Sequence, residues 1–227
     1  MDDRQRVQAL IALLDETYGR LSWWDAPFDE IVIGAILTQQ TRFENVEKAI
    51  SRLREAGICT LSKIVAADRD LLEECIRCTG FYRVKAERLT GLAAFICTVC
   101  EESTPDDEGE VRPGGRESTV PELLPGMPTE ALREALLSVK GVGEETADSI
   151  LCYGLKRNVF VLDAYTHRIS ACAGITVQKN RLRELFSEEL AHDNDLLRSC
   201  HGQIVEYAKE YCNTKRCSEC RIMTLAE

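Results

Sequence analysis

No apolar run in the 227 residues is long enough to span a bilayer, and the opening Met1-Asp2-Asp3-Arg4 has neither the basic nor the apolar block of a secretory signal. The protein is therefore expected inside the cell, away from the membrane: in the cytoplasm, and with the nucleoid if the source is prokaryotic. No stretch alternates apolar and polar residues in the manner of a half-buried strand, which argues against a sheet. No internal repeat stands out, so a solenoid is not expected. Basic residues are also in short supply, with 28 Lys and Arg against 38 Asp and Glu for a formal net charge of -10. That balance counts against a groove reader that holds nucleic acid by neutralising many phosphates.

The acid is concentrated in one place. Residues 101–128 hold eight acidic and two basic side chains, or -6, which leaves -4 for the rest of the chain. Five of the six prolines and four glycines fall in the same stretch, marking it as an irregular insertion between helices. Elsewhere the apolar residues recur at helical spacing. Val7, Leu10, Ile11, Leu14 and Tyr18 form one face of a helix ending near Gly19. Further helices are expected at about 28–38, 43–55, 61–77, 82–100, 129–139, 144–155, 165–173, 182–191 and 195–211. The expected fold is all-α, in one large or two modest domains.

One segment stands out from this background. Leu136 to Ala147 reads as helix, Lys140-Gly141-Val142-Gly143 turn and second helix, followed by Val159-Phe160-Val161-Leu162-Asp163. Two glycines around a small apolar residue allow positive φ, so that amide N–H groups can face outward at a helix N-terminus and seat a phosphate. A protein that grips a backbone through amides needs fewer cations than a groove reader, so the acidic balance weighs less heavily. Asp163 adds a carboxylate that points to chemistry at a sugar. By itself Gly-x-Gly supports no more than an ordinary helical hairpin.

Taken with Leu37-Thr38-Gln39-Gln40-Thr41, Gly80-Phe81-Tyr82-Arg83-Val84-Lys85-Ala86 and His201-Gly202-Gln203-Ile204-Val205-Glu206, this segment resembles the endonuclease III superfamily of DNA glycosylases over nearly the whole chain. The resemblance implies two all-α domains with DNA in the cleft between them. One would be a six-helix domain at 28–155 with the helix-hairpin-helix and the acidic loop 101–128; the other would be discontinuous, 1–27 plus 156–227. It implies a monomer acting on double-stranded DNA with damaged bases in base excision repair, with Asp163 catalytic. It also places Gln40, Lys140, Gly141, Val142 and Gly143 at the DNA, Gln40 as a side chain inserted where a base has been flipped out.

Glu145 bears on mechanism. Members that also cut the strand carry a lysine there, whose amine captures the sugar as a Schiff base, and a carboxylate forms no imine. Lys140, across the turn, is the candidate substitute. Glu145 also fits a narrower branch, the 3-methyladenine DNA glycosylase III type, which this chain resembles in Ile150-Leu151-Cys152-Tyr153 and in Trp23-Trp24 ahead of Phe43-Glu44. That branch implies a base pocket of Trp23, Trp24, Phe43, Glu145 and Lys209. Alkylation makes a purine cationic, which suits aromatic stacking and makes the base a good leaving group, so Asp163 would act without a strong general acid. The alternatives are a bifunctional glycosylase/lyase acting on pyrimidines and a non-catalytic DNA-binding module; the aromatics, for their part, could be ordinary core.

Eleven cysteines in a chain of this kind read as buried thiols or metal ligands rather than disulfides. Cys212, Cys217 and Cys220 resemble the start of the superfamily's 4Fe-4S loop, but the first gap is short and Ala226 stands where the fourth ligand would be. A cluster there would be structural, and the chemistry itself needs no cofactor. Cys75-x-x-Cys78 and Cys97-x-x-Cys100 fit a zinc-ribbon pattern, but they fall in helical stretches where small thiols simply pack.

Overall fold

The computed structural model describes residues 1–102 and 126–226, so the acidic insertion expected at 101–128 lies almost wholly outside the described residues. The described residues are helical, without strands, and form two compact units: Ala26–Ile150, and Met1–Asp25 with Leu151–Glu227. No helix among the described residues is long and apolar enough to cross a membrane.

The continuous unit is built on α2 (Phe28–Leu37), whose Ile31, Val32, Ile33, Ile36 and Leu37 are all buried. Such a helix, apolar on every side, belongs in the middle of its unit. It touches α3 (Phe43–Glu55), α6 (Tyr82–Glu102) and α8 (Glu144–Ser149). The single helix expected at 61–77 is instead two, α4 (Leu61–Ala66) and α5 (Arg69–Ile76). The chain becomes extended at Ala67, and Asp68 caps a new helix by accepting from the Asp70 and Leu71 amides. α7 (Thr129–Ser138) is tied to α8 by Arg133, which pairs with fully buried Asp148 at 2.7 Å. Lys85 on α6 is 2 % exposed and donates to Leu37 O, Thr79 O and Thr41 Oγ1 at 2.9, 2.8 and 2.6 Å. Burial and the neighbouring Arg88 pull this ammonium down to about 8, so it remains charged at neutral pH while it pins the loop after α2.

In the discontinuous unit α1 (Asp3–Tyr18) opens with a capping box between Asp2 and Gln5 and stops at Gly19, whose φ is 61°. It packs with α10 (Lys179–Glu189) and α11 (Asn194–Tyr207) over a core that includes Leu10, Leu14, Phe160, Phe186, Leu197 and Ile204. Phe160 and Phe186 stack at 4.4 Å. α9 (Ala164–Cys172) follows the buried run 159–162. The helix expected to run unbroken over 144–155 is α-helical only to Ser149; Ile150–Gly154 forms a wider π turn. Asn194 donates to Cys152 O at 3.0 Å and Arg157 O at 2.7 Å, occupying carbonyls just past the helix. A second π turn, Ala208–Cys212, extends α11.

Candidate active site

Asp163 ends the buried run and caps α9. Its Oδ1 accepts from Thr166 N at 2.7 Å and Thr166 Oγ1 at 2.8 Å, and its Oδ2 faces His201 Nε2 at 3.7 Å. Burial alone would raise the carboxyl, but the imidazole beside it and the two bonds from Thr166 outweigh burial and hold it below the ordinary carboxylate value of 3.8. A fixed, ionised carboxylate results, suited to stabilising positive charge that develops nearby. Behind it His201 Nδ1 lies 2.6 Å from the hydroxyl of Tyr153, which is wholly buried on the first π turn.

Tyr153 in turn packs on Trp24, with ring centroids 5.4 Å apart. Trp24 has a φ of 48°, a left-handed conformation that a bulky side chain holds only under constraint. Arg198 supplies part of that constraint. It donates to Trp23 O at 3.1 Å, lies 5.6 Å over the Tyr153 ring and pairs with Asp25 at 3.6 Å. Trp23 lies against α11 because residue 202 is glycine: a Cβ there would come within 2.7 Å of the Trp23 side chain. Lys209, on the second π turn, puts its Nζ 5.0 Å from the Trp23 ring centroid and 2.9 Å from Glu206. The discontinuous unit thus gathers Asp163, Trp23, Trp24 and Lys209. Phe43, half-buried at the start of α3, and Glu145, exposed in the first turn of α8, belong to the other unit.

At the hairpin only one glycine has the left-handed conformation expected of both. Gly141 has φ 90°, whereas Gly143 is at φ -97° and ψ 177° and serves as N-cap of α8, with open space where a Cβ would point. Val142 is 7 % exposed and its amide donates to Val139 O at 3.0 Å. Lys140 is exposed and pairs with Glu87 on α6 at 2.9 Å. Gln40 is exposed at φ 53°. Its neighbour Gln39, part of the same motif but given no role by it, holds the hairpin: its amide donates to Gly141 O at 3.0 Å and Thr146 Oγ1 at 3.1 Å, while its carbonyl accepts from Arg88 at 2.7 Å.

Cys212 and Cys220 are half-buried, Cys217 is exposed, and Cys220 Sγ accepts from Tyr207 at 3.6 Å. Among the described residues no three His, Cys, Asp or Glu side chains are disposed to hold a metal ion, which includes the two Cys-x-x-Cys pairs. A Cβ at Gly174 would come within 3.0 Å of Ala226, the residue standing where the fourth cysteine would be.

Tyr153 and His201 are the site residues that spacing did not reveal. Each lay inside a recognisable segment, but an aromatic or histidine on an apolar helix face carries no signal of its own.

Comparison with known proteins places these features. Residues 33–191 match the family model for the HhH-GPD superfamily base excision DNA repair protein. A protein of Methanocaldococcus jannaschii that carries the name of a DNA repair glycosylase is 37% identical over 226 residues, covering 96% of this chain and 94% of its own length. Endonuclease III of Thermotoga maritima is 31% identical over 198 residues, 86% of this chain and 79% of that protein. Among solved structures, 3-methyladenine DNA glycosylase of H. pylori bound to 1,N6-ethenoadenine superimposes with a TM-score of 0.71 at 30% identity, covering 92% of this chain and 98% of that one.

Proposed function

Because this chain belongs to the HhH-GPD superfamily of base excision DNA repair proteins and is a DNA glycosylase of that group, we propose that it is monofunctional and hydrolyses the N-glycosidic bond of alkylated purines such as 3-methyladenine in double-stranded DNA. The observation that carries this reading is Asp163, fixed by Thr166 and kept ionised below the usual range. Its charge stabilises the oxocarbenium-like sugar as the base departs and orients the water that replaces it.

Support for the absence of strand cleavage comes from two side chains. Glu145 is a carboxylate where the superfamily's lyases carry lysine, and Lys140, the other amine at the hairpin, is engaged by Glu87. Support for alkylated purines comes from the adjacent tryptophans, one of which already has a cation, Lys209, at its ring. The π face of an indole attracts a methylated, cationic base by about 0.5 to 2 kcal/mol. In this reading the hairpin at Gly141 and Gly143 contacts the DNA backbone, and Gln40 fills the gap left by the flipped nucleotide.

The likeness to an endonuclease III favours a second reading, a glycosylase/lyase acting on damaged or mismatched pyrimidines. One assay separates the two. Purified protein incubated with methylated duplex is expected to release methylated adenine and leave the abasic strand intact, whereas borohydride trapping of a protein–DNA adduct overturns the monofunctional reading.

A further inference from the structure

His201 is a buried titratable group beside Asp163 to which this chemistry gives no part. It is 7 % exposed, and among the described residues its Nε2 makes no hydrogen bond of full strength, although it points at Asp163 Oδ2 from 3.7 Å. A buried nitrogen left without a partner is costly, so its persistence at this place calls for a reason. The other ring nitrogen supplies one. Tyr153 is wholly buried, and desolvation pushes its phenol well above its ordinary value, so the hydroxyl keeps its proton and, 2.6 Å from Nδ1, is placed to donate it there. An imidazole accepting at Nδ1 carries its own proton on Nε2, and that proton is then aimed at the carboxylate.

We propose that His201 is a positioning residue for Asp163, locked by Tyr153 in the tautomer that presents Nε2–H to the second carboxylate oxygen. The inference rests on the reading of Asp163 as the group that stabilises the sugar. Thr166 holds Oδ1 from one side, and His201 holds Oδ2 from the other; a closure of less than 1 Å would turn the 3.7 Å approach into a full hydrogen bond. With both oxygens fixed, the carboxylate loses rotational freedom and stays ionised where charge develops. Were the tautomer reversed, a lone pair would face Oδ2, and the carboxylate would favour its protonated form.

The groups that bear on this pair are few. Tyr153 and Cys152 come from the first π turn, Arg198 and Cys200 from α11 itself, and Asp163 from the start of α9, while Phe160 and Trp24 close the surroundings with uncharged rings. Arg198 lies over Tyr153, where it favours the ionised phenol, yet burial dominates.

The test uses the full-length protein, whose three histidines make imidazole nitrogen NMR readily assignable. His201 is expected as the Nε2–H tautomer at neutral pH, and Tyr153→Phe, which keeps the ring against Trp24, is expected to shift it toward Nδ1–H. In the same variant the Asp163 carboxyl should titrate higher, the acid limb of kcat for base release should move up with it, and kcat should fall about tenfold with KM unchanged. His201→Gln, whose amide can replace the Nε2–H donor, should retain more activity than His201→Leu. An Nδ1–H tautomer in the parent overturns the proposal. So does an Asp163 titration and pH profile unmoved by Y153F and H201L while only Tm falls, which marks plain packing. Failure of the underlying reading shows itself separately, as no base release by the parent from any damaged duplex; the Asp163 titration in Y153F still decides the tautomer lock.

Discussion

Asp163 does two jobs with one side chain. As N-cap it satisfies the Thr166 amide, and in the proposed reaction it is also the buried anion that meets developing positive charge, so substitution separates the two. Asp163→Asn keeps a capping oxygen and is expected to lower base release by about a hundredfold or more while leaving binding to damaged DNA intact, read by single-turnover release beside fluorescence anisotropy. The pH dependence of stability has a definite sign. The folded carboxyl sits below its ordinary 3.8, so its contribution is present above that value and is lost as pH falls through the depressed folded one. The stability gap between parent and D163N should therefore close below about pH 4, as measured by urea titration. Gly202 tests the neighbouring aromatic. A methyl there collides with Trp23 at 2.7 Å, so Gly202→Ala should cost about 1 to 3 kcal/mol or displace the indole. Since the chain holds only two tryptophans, the displacement is visible as a shift in emission.

At the scale of elements the sequence pattern located helices better than it located their ends. The 3.6-residue periodicity of α1, α3 and α6 was legible because a single face is buried. The break at Ala67 was not, because Asp68 has to compete with helix continuation and only its bonds to the Asp70 and Leu71 amides show that it wins. The two π turns were equally hidden. At the first of them the partner is tertiary, since the carbonyl of Cys152 accepts from Asn194 on a helix some forty residues away. The helix-hairpin-helix behaves similarly: its glycines were visible, but the clasp on it is a glutamine from the loop after α2. Gln39→Ala removes the bonds to Gly141 and Thr146 and releases Arg88, so duplex affinity should fall about tenfold with only about 1 kcal/mol lost in stability. An unchanged affinity in anisotropy titrations would detach Gln39 from the DNA-binding role of the hairpin.

For the whole molecule, charge is the property that a sequence states outright. A net charge of -10 limits how many phosphates cations can neutralise, and in the proposed reading the hairpin relies on few of them. The slope of log affinity against log salt is accordingly expected to be no steeper than about -4, measured by anisotropy across a salt series. A steeper slope would mean that a basic surface carries the binding. By itself the sequence determined the all-α character, the superfamily, the turn at Lys140-Gly141-Val142-Gly143 and the candidate carboxylate Asp163, because each depends on periodicity or on residues adjacent in the chain. The setting of Asp163 was decided only in three dimensions. Thr166 lies three residues away, but Tyr153, His201, Trp24 and Arg198 come from segments as much as 177 residues apart, and hydrogen-bond direction and desolvation act across space, which residue order does not encode.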